Sequence, residues 1–232
     1  MKAIILAAGE GKRLRPLTLE VPKPLVRISG KPILERIWDS LPEAISEVIL
    51  VVGYKNRLIR DYFGNEFRNK KIHYVYQEKP LGTAHALMLC KSFINKREKF
   101  LFMYSDDLHG KNGLSNLLNY ELAVLVAEHP DPKRFGVVLT DKKNKILEIE
   151  EKPDIPKSNL VAVGAYVFDD KIFNYKFSRN PNGEYYVTDL VGGLIKDYPV
   201  YAEKTSFWHP IGYPEDVDAA EKKLLADRRN LY

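Results

Sequence analysis

The chain predicts an α/β fold built on a doubly wound, mostly parallel sheet. Short, wholly apolar runs at residues 3–8, 48–52 and 100–104 read as strands buried on both faces. Amphipathic helical patterns separate them, and strands alternating with helices argue for crossover connections covering both faces of a sheet. A length of 232 residues at 45% hydrophobic content is enough to bury one core, so one domain spanning 1–232 is expected.

The first strand, residues 3–8, runs into a loop that carries Gly9 and Gly11. Glycines there let the backbone turn sharply and aim its N–H groups at a ligand. Lys12, Arg13, Arg15 and Lys23 add cations within a short, proline-broken segment. Glycine amides with fixed cations suit a polyphosphate, and a solvated turn with surface charges is the alternative. A Walker loop is excluded because Arg13 follows Gly11-Lys12 where Ser or Thr is required. A dinucleotide fingerprint is excluded because Leu14 stands where a third glycine belongs. Residues 1–36 hold eight Lys or Arg and three Glu, which accounts for the whole net charge of +5. Positive potential so concentrated favours a small polyanion over a nucleic acid track.

Next, Pro32 reads as a first helical residue, with Ile33, Leu34, Ile37, Trp38 and Leu41 on one face. Residues 48–52 form a strand ending at Gly53, 57–63 a helix and 72–76 a strand. Gln77, Gly82, Thr83 and Ala84 belong to a segment that opens a helix running to about Ser92. The Gln77 amide offers a donor and an acceptor side by side, which matches the imide edge of a pyrimidine, unless it is simply solvated. Residues 100–104 form a strand that ends in Ser105-Asp106-Asp107. A carboxylate at a strand's carboxyl end can hold Mg²⁺ against phosphates, and paired acids there also serve as helix caps.

Residues 122–127 read as a strand, and 135–138 with 146–150 as a hairpin turning at 142–144. A long strand over 159–168 contains Gly164. Thr188 or Asp189 caps a helix over 190–196, and a last helix runs over 214–228, acidic at its start and basic toward Lys222, Lys223 and Arg228. The single cysteine, Cys90, sits in an apolar pattern and reads as a buried structural thiol. The five histidines show no ligand spacing. No apolar run approaches ~20 residues and no leader is visible, so a cytoplasmic protein without a membrane span is expected.

Taken together, L-A-A-G-x-G-x-R-L-x-P-L-T from Leu6, then P-K-P-L and G-K-P-I-L, resembles the signature of the sugar-1-phosphate nucleotidyltransferases. The string looks most like the glucose-1-phosphate thymidylyltransferases and their uridylyl and guanylyl relatives. Q-x-x-x-x-G-T-A at Gln77, E-E-K-P at 150–153, G-A-Y-V-F at 164–168 and E-x-x-x-T-D at Glu184 extend the resemblance over nearly the whole chain.

That resemblance implies a Rossmann-like, mixed sheet with a nucleotide half over about 1–120 and a sugar half over about 121–232. It implies an enzyme making NDP-sugar and pyrophosphate from an NTP and a sugar 1-phosphate. Glucose 1-phosphate with dTTP or UTP is the first expectation and mannose 1-phosphate with GTP the second. Leu6, Ala8, Gly9, Gly11, Lys12, Arg13, Gln77, Gly82 and Thr83 would bind the nucleotide. Gly136, Glu151, Gly164, Glu184 and Thr188 would bind the sugar, and Arg15, Lys23, Asp106 and Lys152 would be catalytic, with Mg²⁺ on Asp106. Nucleic acid and membrane partners are not expected, self-association into a homo-oligomer is left open, and no β-helical extension is expected.

Two departures matter. Ser105 and Asp107 flank Asp106 where the family usually has Gly and Asn, and Pro210 stands where it commonly carries a second metal-binding aspartate. The paired acids keep a metal-dependent glycosyltransferase in view. Pro210 keeps in view a catalytically silent sugar-nucleotide-binding subunit.

Overall fold

A computed structural model describes residues 1–226. The strands are β1 (Lys2–Ala7), β2 (Arg27–Ile28), β3 (Lys31–Pro32), β4 (Glu47–Val52), β5 (Glu66–Phe67), β6 (Lys70–Tyr76) and β7 (Phe100–Tyr104) in the first half. In the second half they are β8 (Asp107–His109), β9 (Ala123–Glu128), β10 (Gly136–Thr140), β11 (Ile146–Glu151), β12 (Leu160–Phe168), β13 (Tyr201–Lys204) and β14 (Trp208–Pro210). The α-helices are α1 (Ile33–Ser40), α2 (Asn56–Phe63), α3 (Thr83–Met88), α4 (Lys111–Leu117), α5 (Val187–Asp197) and α6 (Pro214–Ala226).

The sheet runs β11-β10-β12-β7-β1-β4-β6-β5, with β9 also on β12 and β13 on β9. Its centre is parallel: β1 pairs with β4 and β7, and β4 with β6. β12 is antiparallel to β7, β9 and β10, so the sheet is mixed. Alternate residues of each strand feed opposite faces. Ala3, Ile5 and Ala7 of β1, with Val48, Leu50 and Val52 of β4, join a core completed by Ile33, Leu34, Ile37, Trp38, Ile59, Phe63, Leu114, Leu117, Val217 and Ala220. Ile4, Ile49 and Val51 face the opposite way onto Ala84, Ala86 and Leu87 of α3 and Val187, Leu190, Val191 and Leu194 of α5. The sheet is therefore doubly wound. Each large aliphatic side chain taken out of water here contributes about 1.5–3 kcal/mol.

Several boundaries differ from the sequence reading. Pro32 ends β3 and α1 begins at Ile33. α3 stops at Met88, and residues 91–93 form a separate 3-10 turn. α5 starts at Val187, and neither Thr188 nor Asp189 caps it: the Val187 N–H donates to Thr83 Oγ1 at 2.9 Å, from a different element. The Asp189 carboxylate instead accepts from the Ser178 N–H at 3.1 Å. Arg228 lies outside the described residues. Cys90 is fully buried, and that burial pushes its thiol up to about 12. No helix among the described residues is long and apolar enough to cross a membrane.

One irregularity shapes the functional cleft. β12 pairs with β10 through Val161 and with β7 from Ala165 onward, and its register on β9 shifts between Ala162 and Tyr166. Gly164 lies inside that shift at φ 72°, where only glycine is comfortable. β7 and β10 thus separate at the carboxyl end of β7. A gap opens beside the ends of β1, β6 and β7, the end where ligands sit in open α/β sheets.

Candidate active site

A cavity of about 730 Å³ fills that gap. One side of it begins at Gly9, where an added Cβ would meet nothing within 4 Å. Gly11 is left-handed, φ 64°, and a Cβ there would lie 2.9 Å from Lys23 Cβ and 3.0 Å from Thr18 Cγ2. Thr18 Oγ1 donates to the Gly11 carbonyl at 2.9 Å. Fully buried Leu14 anchors a 3-10 turn over Lys12–Leu14. That anchor sets the phase of its neighbours: Lys12, Arg13 and Arg15 are all exposed, but Arg13 lines the cavity while Lys12 and Arg15 lie outside its lining. Lys12 pairs with Glu10 at 3.3 Å on the surface. Arg15, the arginine expected to be catalytic, lies outside the lining of this cavity, and the arginine of the loop that lines it is Arg13.

Lys23 rises from a second 3-10 turn, Lys23–Leu25, and its ammonium reaches Asp106 Oδ2 at 3.1 Å. The lysine side chain is 14% exposed and the carboxylate 46%, so the pair opens toward the cavity from the Asp106 side. Asp107 starts β8, a three-residue strand that pairs antiparallel with β14 and sets Asp107 opposite Pro210. Burial, and then the neighbouring Asp106 charge, hold the Asp107 carboxyl well above the usual carboxylate range. Pro210 lines the cavity and has no ligating atom on its side chain. Asp216 lines it too, with Oδ2 already accepting the Gly212 and Tyr213 N–H groups at 2.8 Å each.

On another side of the cavity, the Gln77 backbone continues β6 and donates to the Val52 carbonyl at 2.8 Å. Its side-chain Nε2 lies 3.3 Å from the Gly82 carbonyl and 3.0 Å from His85 Nδ1. Gly82 has φ 98°, and a Cβ there would fall 2.4 Å from the Tyr185 carbonyl oxygen. Residues 81–84 are stitched to the second half: Tyr185 donates to the Leu81 carbonyl at 2.8 Å and Ala84 to the Tyr185 carbonyl at 3.0 Å. Leu6, Ala8 and Thr83 line the same side.

At the opposite side, the β10–β11 hairpin delivers Glu151 and Lys152. Lys152 adopts φ 45° and its N–H donates to the Phe135 carbonyl at 3.0 Å, which fixes where the side chain leaves the hairpin. Its Nζ lies 3.3 Å from Glu151 Oε1 and 4.7 Å over the Tyr186 ring. Burial lowers this ammonium's pKa, but the Glu151 carboxylate and Tyr186 outweigh it, and the net shift is upward. Gly136 is held small by Thr188 Cγ2 at 3.0 Å and Glu151 Oε2 at 3.4 Å from a would-be Cβ. Gly164 is held small by the Tyr104 ring and Asp107 Oδ2 at 2.7 and 2.8 Å. Glu184 completes this lining.

Thr188 does not reach the cavity. It is buried behind Glu151 and donates its hydroxyl to Glu151 Oε2 at 3.1 Å, so it orients that carboxylate. Gly11 likewise shapes the loop from behind. The cavity also gathers residues that sequence reasoning missed: Arg134, Tyr213, Tyr186, Tyr104 and Tyr166. The guanidinium groups of Arg13 and Arg134 lie 6.0 and 5.6 Å from the Tyr213 ring centre. Arg134 adds a cation from a third segment. Its position two residues before Gly136 was the available signal.

Residues 2–227 match the profile of the family described as Nucleotidyl transferase. The Bifunctional protein GlmU of Methanocaldococcus jannaschii is 40% identical over 228 residues, covering 97% of this chain and 54% of that relative. The chain thus spans about half the length of this relative and of the similar Methanococcus proteins. The UTP–glucose-1-phosphate uridylyltransferase AglF of Haloferax volcanii is 37% identical over 237 residues, covering 97% of this chain and 96% of AglF. Among solved structures, a Bacillus anthracis protein described as a glucose-1-phosphate thymidylyltransferase superposes with TM-score 0.86 at 28% identity, covering 96% of this chain and 94% of that one.

Proposed function

The chain belongs to the nucleotidyl transferase family, and from that premise we propose that it joins an NTP to a sugar 1-phosphate, releasing pyrophosphate. The observation that carries the reading is one continuous cavity. It runs from the Gln77 amide, past Gly9, Arg13, Lys23 and Asp106, to Lys152, Glu151, Gly136, Gly164 and Glu184. Base edge, polyphosphate and phosphorylated sugar each find suitable chemistry there, in the order that the reaction requires. Glucose 1-phosphate with UTP is the first choice and dTTP the second, supported by the similarity to AglF and to the Bacillus protein.

In the reaction, a non-bridging oxygen of the sugar phosphate attacks the α-phosphorus in line. The bond from that phosphorus to the α–β bridging oxygen breaks, and its electron pair leaves with pyrophosphate. No protein nucleophile is needed, so catalysis is positioning and charge neutralisation. Lys152 receives the incoming phosphate, while Glu151, oriented by Thr188, takes sugar hydroxyls. Arg13, Lys23 and Arg134 neutralise the triphosphate. The donor set suits a hard divalent ion: Asp106 presents carboxylate oxygen to the cavity, beside a second carboxyl that its charge disfavours ionising. Asp106 would hold Mg²⁺, whose shell would otherwise be phosphate oxygens and water, since Pro210 supplies nothing. When bound, the ion supplies further neutralisation of phosphate charge.

The departure at Pro210 favours one second reading, a subunit that binds sugar nucleotides without making them. A pyrophosphate-release assay over UTP, dTTP, GTP, CTP and ATP against glucose, N-acetylglucosamine and mannose 1-phosphates separates the two. Turnover should be highest with UTP or dTTP and glucose 1-phosphate. Tight NDP-sugar binding with no release from any pair would favour the silent subunit.

A further inference from the structure

Resting on the reading of the Gln77 side as the base site, we propose that His85 is a positioning residue for base selection: it fixes which atom of the Gln77 amide faces the nucleobase. The argument begins with the neighbours of Gln77 Nε2, the Gly82 carbonyl oxygen at 3.3 Å and His85 Nδ1 at 3.0 Å. A carbonyl oxygen only accepts, so the amide atom beside Gly82 is the NH₂ group. One of its two N–H bonds meets Gly82. The other needs an acceptor, which His85 Nδ1 supplies only when its proton is on Nε2.

Both N–H bonds of the amide are then engaged within the protein. No donor among the described residues reaches Gln77 Oε1, and that atom is not sealed from solvent. Gln77 is 6% exposed and lines the cavity, so the face left for a ligand is an acceptor. An amide free to turn offers either a donor or an acceptor, and His85 with Gly82 removes that choice. Uracil, thymine and guanine each carry a proton on the ring nitrogen of their pairing edge. Cytosine and adenine carry a lone pair there, which an acceptor repels in the same pose. Leu6, Ala8 and Pro80 supply the apolar flank that holds the ring in one pose. His85 therefore biases the site toward ring N–H bases without touching them.

The test compares His85→Asn, whose side-chain oxygen restores an acceptor near the Nδ1 position, with His85→Phe, which keeps a ring and removes the acceptor. His85→Ala serves where the larger ring prevents folding, as judged by thermal melting. Affinities for UDP and CDP are measured by calorimetry, and kcat/KM for UTP and CTP with glucose 1-phosphate. The native protein should prefer UDP, and His85→Asn should keep most of that preference. Loss of the acceptor should cut the UDP:CDP ratio by about tenfold, the size of one buried hydrogen bond, with KM for the sugar phosphate unchanged. A residue of merely structural importance would weaken both nucleotides alike, and an unchanged ratio overturns the proposal. Equal native affinity for UDP and CDP overturns it too. Native UDP preference that depends on His85 without any turnover would sustain the inference while sinking the transferase reading.

Discussion

Asp106→Asn is expected to cut NDP-sugar formation about 10²–10³-fold, the loss typical of a charge contact made at the transition state. The carboxylate is the open half of a pair whose other half, Lys23, is nearly enclosed. It is also the cavity carboxylate best placed to carry a hard cation: Pro210 supplies none, and one oxygen of Asp216 is engaged by two backbone amides. Asparagine keeps the shape and leaves the fold intact, so the melting temperature should move little while kcat collapses. Asp107→Asn is the matched control. Burial and the Asp106 charge already bias that carboxyl toward its neutral form, which an amide resembles, so its turnover should fall far less. Steady-state kinetics at saturating substrates decide it, and a near-native kcat in Asp106→Asn would remove Asp106 from the mechanism.

Lys152→Ala is expected to lower kcat/KM for the sugar 1-phosphate about 10²-fold, leaving KM for the NTP close to native. Its left-handed backbone, its N–H on Phe135 and its contacts with Glu151 and Tyr186 hold a cation beside the β10–β11 hairpin, on a different segment from the glycine loop. An equal loss toward both substrates would show that the two phosphates are not held separately. A pH consequence follows from the same contacts. The folded pKa is raised above the ordinary lysine value, so the Glu151–Lys152 attraction is fully present below the unfolded pKa. It fades only as pH climbs through the higher folded value. Any decline in activity between pH 7 and 9 should therefore persist in Lys152→Arg, since it arises elsewhere.

The sheet was legible because its central strands are buried on both faces, which leaves unbroken apolar runs such as Val48 to Val52 and Phe100 to Met103. The glycine loop was legible as a turn at the end of the first strand, yet not which of its arginines lines the cavity. That depends on Leu14 entering the core and setting the phase of a single turn. The start of α5 was misread because its first free N–H is satisfied by Thr83, about a hundred residues earlier, and no local pattern reports such a cap. β8 and β14 are three residues each and carry Asp107, His109, His209 and Pro210. They pair only because the fold brings them together. Gln77 lies beside Gly82, its neighbour in the same short segment. Its contact with His85, eight residues on, emerges only in three dimensions.

Glucose 1-phosphate labelled with ¹⁸O in the bridge between C1 and phosphorus tests the account most directly, when turned over with UTP and followed by ³¹P NMR and mass spectrometry. Attack of the sugar phosphate on the α-phosphorus leaves the C1–O bond untouched, so the predicted product is UDP-glucose carrying all the label in that bridge, with one unlabelled pyrophosphate per sugar nucleotide. Label lost from C1, the outcome of glycosyl transfer on a pair of carboxylates, or binding with no UDP-glucose formed, would contradict it.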